Sequence, residues 1–105
     1  MDFGSMFGKI QEAQQKMEAV KAQLKTIHVQ GDAENKQVVA TFSAAKEMIN
    51  IQIADELIQE GDREQIEDLV TIAVNRALEK ADEVAEVETK KATDGLLPNI
   101  PGLGL

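Results

Sequence analysis

The 105-residue chain has no cysteine, no tryptophan and no tyrosine. Without cysteine there is no disulfide framework, no thiolate nucleophile and no zinc ribbon, which accords with a reducing compartment. Aromatic residues amount to Phe3, Phe7 and Phe42, too few for the stacking platforms that hold single-stranded nucleic acid. No run approaches the ~20 apolar residues of a membrane span. The first residues also lack the basic-then-apolar order of a secretion signal. These absences predict a soluble, intracellular protein with no membrane partner.

Groups that carry catalysis are equally scarce. His28 is the single histidine and Ser5 and Ser43 are the only serines, and none sits in a nucleophile-elbow pattern. "GDAENK" reads as a turn, not a phosphate cradle, and no Walker sequence is present. The carboxylate pairs Asp82/Glu86 and Glu64/Asp68 lie one helical turn apart, but no EF-hand spacing and no Glu-x-x-His accompanies them. They read as solvated helix faces. The expectation is a protein that is not an enzyme, with no cofactor and no metal site.

Charge of one sign is in excess. The chain carries 19 acidic against 11 basic residues, a net of −8, which taken alone opposes nucleic-acid binding, since Lys and Arg on phosphates supply most non-specific affinity. The excess is not uniform. Residues 1–30 hold Lys9, Lys16, Lys21 and Lys25 against Asp2, Glu12 and Glu18, a net of +1, so the other 75 residues carry −9.

The stretch "KIQEAQQKMEAVKAQLKTI", residues 9–27, spaces Ile10, Ala13, Met17, Val20, Leu24 and Ile27 by threes and fours, as an amphipathic helix requires. Cations and amides border this seam. Under three heptads is too short for a stable coiled coil, so the seam needs cover from the sheet, another helix or a second subunit. From Thr26 the period drops to two. "TIHVQG", "KQVVATFSA" and "EMINIQIA" read as three half-buried strands. The links "GDAEN" and "AAKE" are short enough for hairpins, giving an antiparallel meander.

"DELIQEG" follows as one helical turn stopped by Gly61, and Asp62 with Gln65 starts a long helix with a capping-box-like pair. From Arg63 to Lys91 this helix would be about 43 Å long at ~1.5 Å per residue. A compact domain of this size has a radius of gyration of only ~13 Å, so the last turns should project beyond the body. Ile66, Val70, Ala73, Val74, Ala77, Leu78, Ala81, Val84 and Ala85 share its apolar face, whose alanines invite close approach of another helix. Arg76, Lys80 and Lys91 border one edge, and Glu64, Glu67, Asp68, Asp82 and Glu86 the other.

Residues 1–93 are thus expected to form one α+β domain: an N-terminal helix, a three-stranded antiparallel β-meander, a short helical turn and a long C-terminal helix. Residues 94–105 form a Pro/Gly/Leu tail, expected to be flexible, with a protein partner as the alternative. Ile10, Met17, Val20, Leu24, Phe42, Ile49, Ile51, Val70 and Ala77 are the positions expected in the core or a dimer contact, because one chain of this size only just buries enough surface alone.

This order of elements resembles the YbaB/EbfC family of bacterial nucleoid-associated proteins. The likeness rests on "MFGKIQEAQQKMEAVKAQL", the third strand running into "IADELI", "EQIEDLVTIAVNRALEKA" and the closing "LPNIPGLGL". The resemblance implies a homodimer with protruding helices that grip duplex DNA with little sequence preference, in the cytoplasm at the nucleoid, altering DNA conformation and gene expression. The positions that could serve as its basic residues are Lys9, Lys16, Lys21 and Lys25 on the first helix and Arg76 and Lys80 on the last. One departure is the first hairpin, often glycine-rich in the family, where this chain offers only Gly31 before "DAENKQVV". The rival reading is an acidic helical adaptor for another protein, with no direct role on DNA.

Overall fold

The computed structural model describes residues 3–94. Helix α1 spans Phe3–Leu24, strands β1, β2 and β3 span His28–Ala33, Val38–Ser43 and Met48–Ile53, helix α2 spans Asp55–Glu60 and helix α3 spans Arg63–Thr93. The three strands form one antiparallel sheet in the order β1-β2-β3. This is the α+β order expected from the sequence. The tail read as flexible lies, from residue 95 on, outside the described residues.

Helix α3 is held at its start by local chemistry. Gly61 closes α2 in the left-handed region at φ 73°, and Asp62 Oδ1 accepts a hydrogen bond from the Gln65 backbone N–H at 3.2 Å. The cap satisfies one of the four donors that a helix start leaves unpaired. With 31 residues, α3 runs about 46 Å at ~1.5 Å per residue. The chain is accordingly elongated, with a radius of gyration of 19.3 Å and extents of 69 × 26 × 17 Å.

The core lies between one sheet face and α3. Val29, Ala33, Val38, Ala40 and Phe42 meet Leu69, Ala73, Ala77 and Ala81, with Leu57 of α2 closing one end. Ile51, Ile53, Ile66, Val70, Val74 and Leu78 border this core, half-buried. Val70, expected in the core or a dimer contact, packs half-buried against the core, while its neighbour Leu69, absent from the residues placed on that face, is buried. The fully buried line steps by four from Leu69 through the alanines, where the sheet comes nearest.

That nearness has a specific cause in Gly31. A Cβ placed there would lie within 3.0 Å of backbone atoms of Ala73, Arg76 and Ala77. The alanine stripe therefore receives a strand rather than the helix expected from its small side chains. For the same reason "GDA" is strand and not turn. Val29, Gly31 and Ala33 alternate inward, and the turn proper is Glu34, Asn35 and Lys36, at φ 51°, 53° and 67°.

The β2–β3 turn is organised by buried Ser43. Its Oγ accepts from the backbone N–H groups of Ala45 and Glu47, both at 3.2 Å. A bulge then pairs Phe42 with Met48 and Thr41 with Asn50, leaving Ile49 without a partner across β2. The period-two alternation along "EMINIQIA" is therefore broken between Ile49 and Ile51. Met48 and Ile49 stay 50% and 48% exposed, outside the chain's own core.

Helix α1 is covered only over its second half. Val20 and Leu24 pack with Ala44, Ala45, Ile27, Val84, Ala85 and Ala92. The helix ends at Leu24, where Thr26 Oγ1 and the Thr26 N–H both donate to the Gln23 carbonyl, so Ile27 belongs to the lead into β1. Ala13 is buried and Met17 half-buried, but Ile10 is 51% exposed. Ile10, expected in the core or a dimer contact, therefore lies outside the chain's own core.

Candidate nucleic-acid interface

The basic residues singled out in the sequence are all exposed, and all but Lys25 fall on the two long helices; Lys25, expected on the first helix, lies in the turn after Leu24, where α1 has ended. On α1, rotation by ~100° per residue puts Lys9 and Lys16 on one flank of the apolar seam and Lys21 on the other. Lys21 faces Glu18 at 3.7 Å. Lys9, Lys16 and Lys25 make no ion pair among the described residues. An exposed ammonium without a protein partner keeps its donors for an external anion.

On α3 the two candidates differ. Arg76 donates through Nη1 to the Asp32 backbone carbonyl at 2.8 Å, tying α3 to β1 while leaving its other N–H groups outward. Lys80, one turn further, has no ion-pair partner among the described residues. The structure thus joins Arg76 and Lys80 on one helix face beside the sheet. It does not bring them together with Lys9, which lies far up α1.

Several acidic residues engage other cations. Arg63 is engaged by Glu67 at 3.2 Å and Lys91 by Glu88 at 3.6 Å. Lys46, which sequence reasoning passed over, pairs with Asp82 and so fixes the β2–β3 turn to α3. A left-handed lysine at φ 68° is a turn feature, and nothing in its sequence context marks the distant acid. His28 sits exposed on β1 opposite Ser43. Among the described residues no group of His, Asp or Glu is arranged to hold a metal ion, and no helix is long and apolar enough to cross a membrane.

A single sheet covered on one face by a long helix, with a second helix projecting and carrying unpaired lysines, defines a small α+β surface-binding domain. The chain belongs to the YbaB/EbfC DNA-binding family, whose model matches residues 1–96. Similar proteins are described as nucleoid-associated proteins. A nucleoid-associated protein of Chlorobium phaeobacteroides is 41% identical over 96 residues, covering 91% of this chain and 85% of the relative. Another, of Flavobacterium johnsoniae, is 34% identical over 103 residues, covering 98% and 95%. The crystal structure of an uncharacterized protein from Helicobacter pylori superposes with a TM-score of 0.74 at 20% identity, over 83% of this chain and 91% of that one. At that identity the likeness concerns the fold.

Proposed function

We propose that the protein is a non-enzymatic, nucleoid-associated homodimer that binds duplex DNA with little sequence preference, in the cytoplasm, and alters DNA conformation and with it gene expression. The observation that carries this reading is the exposure of Lys9 and Lys16 on α1 and of Lys25 in the turn that follows it, unpaired among the described residues, in the non-acidic part of a strongly acidic chain. Lysine ammonium groups hold phosphates as point charges and carry no base information. Lys80 adds a further unpaired ammonium, and Lys21 and Arg76, each already engaged, add contacts of lesser availability. Dimerisation is assigned to β3, an edge of the sheet whose outer backbone groups offer pairing to a second chain. Half-exposed Met48 and Ile49 lie on that strand, and exposed Ile58 follows on α2.

Titration against a duplex at several salt concentrations tests the reading. The expected result is a linear fall of log K with log salt, with a slope of a few units. Each phosphate contact contributes about 0.9 to it, so Lys9→Ala and Lys16→Ala should flatten it. No binding at low salt would sink the proposal and favour the adaptor reading, in which the arms engage a protein.

A further inference from the structure

Phe3, Met6, Phe7 and Ile10 of α1 are 66, 48, 65 and 51% exposed, a contiguous apolar face on the first two turns and the start of the third. Arg76 meets Asp32 and Lys46 meets Asp82, so β1 followed backward toward Leu24 advances along α3. Val20 and Leu24 then cluster with Val84, Ala85 and Ala92, and α1 and α3 run antiparallel. At ~1.5 Å per residue, Asp94 comes level with about Gln14 or Gln15. Residues 3–13 project beyond it as an arm of roughly 16 Å, and burial along α1 stops close to that level, at Ala13.

The dimer assigned to β3 leaves this face open. Helix α1 ends beside Ala44 and Ala45 of the β2–β3 turn, so two β3 strands paired antiparallel about a two-fold axis send their arms out at opposite ends. The exposed area limits what the arm can hold. Two phenylalanines at about two-thirds exposure offer roughly 250 Å², taking ~200 Å² for each. With Met6 and Ile10 added, two such faces together bury about 800 Å², short of the ~1,200–2,000 Å² of a stable complex. Arm against arm is a contact that needs further support.

We propose that the arms of neighbouring dimers pair antiparallel on duplex DNA through this face, and that two arms together form one phosphate-binding row. The inference rests on the DNA-binding reading above. With Phe3 opposite the second copy's Ile10 and Met6 opposite its Phe7, the overlap uses the projecting length and keeps the two bodies apart. A two-fold axis across antiparallel helices brings equal flanks to one side, so Lys9, Lys16 and their two counterparts line up over about 29 Å. Glu12 lies on the side of the helix away from the apolar face, and Glu18 on the other flank with Lys21. The two Lys9 ammonium groups stand about 8 Å apart along the axis, comparable to the ~8 Å screening length, and oppose pairing in free solution. Each strand of a duplex carries a charge every ~3.4 Å. Laid along the row, it neutralises the lysines and removes that opposition. Pairing is therefore coupled to DNA, and dimers joined arm to arm bind cooperatively.

Binding of the intact protein and of its Phe3→Gln/Phe7→Gln variant to two duplexes tests it. One duplex has about 20 base pairs at ~3.4 Å each, the 69 Å length of a single chain and too short for two dimers; the other is several times longer. On the longer duplex the natural chain should bind about tenfold more tightly beside a bound dimer than alone. The variant should keep its affinity for the short duplex and lose the cooperativity. Non-cooperative binding by the natural chain overturns the proposal, as does a variant that stays cooperative or that loses short-duplex affinity as well. No binding to either duplex at low salt refutes the DNA-binding reading itself, and this inference with it. A second measure leaves both phenylalanines in place. The natural chain has no cysteine, and in the pair Met6 lies about 1.5 Å along the axis from its counterpart. Met6→Cys protein should form interchain links with a short bis-maleimide on the longer duplex and not without DNA. No link on DNA, or equal linking without it, refutes the composite row.

Discussion

Replacing Gly31 by Ala sets two effects of opposite sign against each other. In an open strand the change stabilises by about 0.4–1 kcal/mol, because alanine has fewer unfolded conformations to lose. Here the new methyl would meet backbone atoms of Ala73, Arg76 and Ala77 within 3.0 Å, and backbone does not swing aside as a flexible side chain does. Strand β1 and α3 must separate by some tenths of an ångström up to about 1 Å. A gap of that size forfeits a quarter to a half of each affected dispersion contact. Spread over the line from Leu69 to Ala81, overpacking of this kind costs about 1–3 kcal/mol. The net expectation is a loss of roughly 1.3 kcal/mol and a fall in Tm of about 5–10 °C for a domain of this size. Urea titration with a fixed protein concentration, so that dimer mass action is constant, gives the measurement. Gly8→Ala serves as the control, since nothing lies within 4 Å of its added Cβ and an exposed helix interior gains about 0.5–1 kcal/mol. If Gly31→Ala matches Gly8→Ala in sign, the close approach of β1 to α3 is not what sets the spacing of the core.

Other perturbations separate the remaining contacts. Asp62→Ala removes the cap on α3 and should cost about 1 kcal/mol in chemical denaturation. Lys36→Gly should stabilise by about 1 kcal/mol in the same assay, by relieving a left-handed residue at φ 67°. Arg76→Ala should weaken DNA binding and also lower stability, by about 0.5–1.5 kcal/mol, because it holds the Asp32 carbonyl. Lys16→Ala should change the salt slope alone. Ile49→Asp should shift sedimentation toward the 11.5 kDa monomer while leaving the strand content seen by circular dichroism intact.

Element order was legible in the sequence because each boundary has a local chemical cause. Gly61 and Asp62 mark the α2–α3 junction by themselves, and the period change after Leu24 marks the first strand. What escaped depends on residues far apart in the chain. Gly31 and Ala33 have turn composition, and only the presence of α3 at residues 73–77 turns their smallness into a strand facing a helix. The bulge that displaces Ile49 follows from Ser43 gathering the β2–β3 turn, and no periodicity within "EMINIQIA" reports it. Along α1 the seam was visible, but not that α3 ends beside its middle. Of the basic positions, exposure followed from the pattern, whereas the bond from Arg76 to β1 and the role of Lys46 required the fold.

A net charge of −8 and a grip on phosphate become compatible once distances along the helices are counted. With α1 and α3 antiparallel and Leu24 beside Val84 and Ala85, the acids Asp82, Glu83 and Glu86 lie level with the last residues of α1 and the turn that follows. Lys16 is then about 10 Å and Lys9 about 20 Å from that level along the axis. The Debye length at physiological ionic strength is ~8 Å. Repulsion from these acids has therefore decayed by more than one screening length at Lys16 and by more than two at Lys9, where the nearer acids, Glu12 and Glu18 of α1 and Asp94 at the end of α3, are balanced by Lys9, Lys16 and Lys21. Lys21 and Lys25 stand level with the acids and gain least from screening. On the proposed reading, the same acids weaken phosphate contact along the body of the chain, so that Lys9 and Lys16 of the α1 arm contribute more to binding than Arg76 and Lys80 beside the sheet.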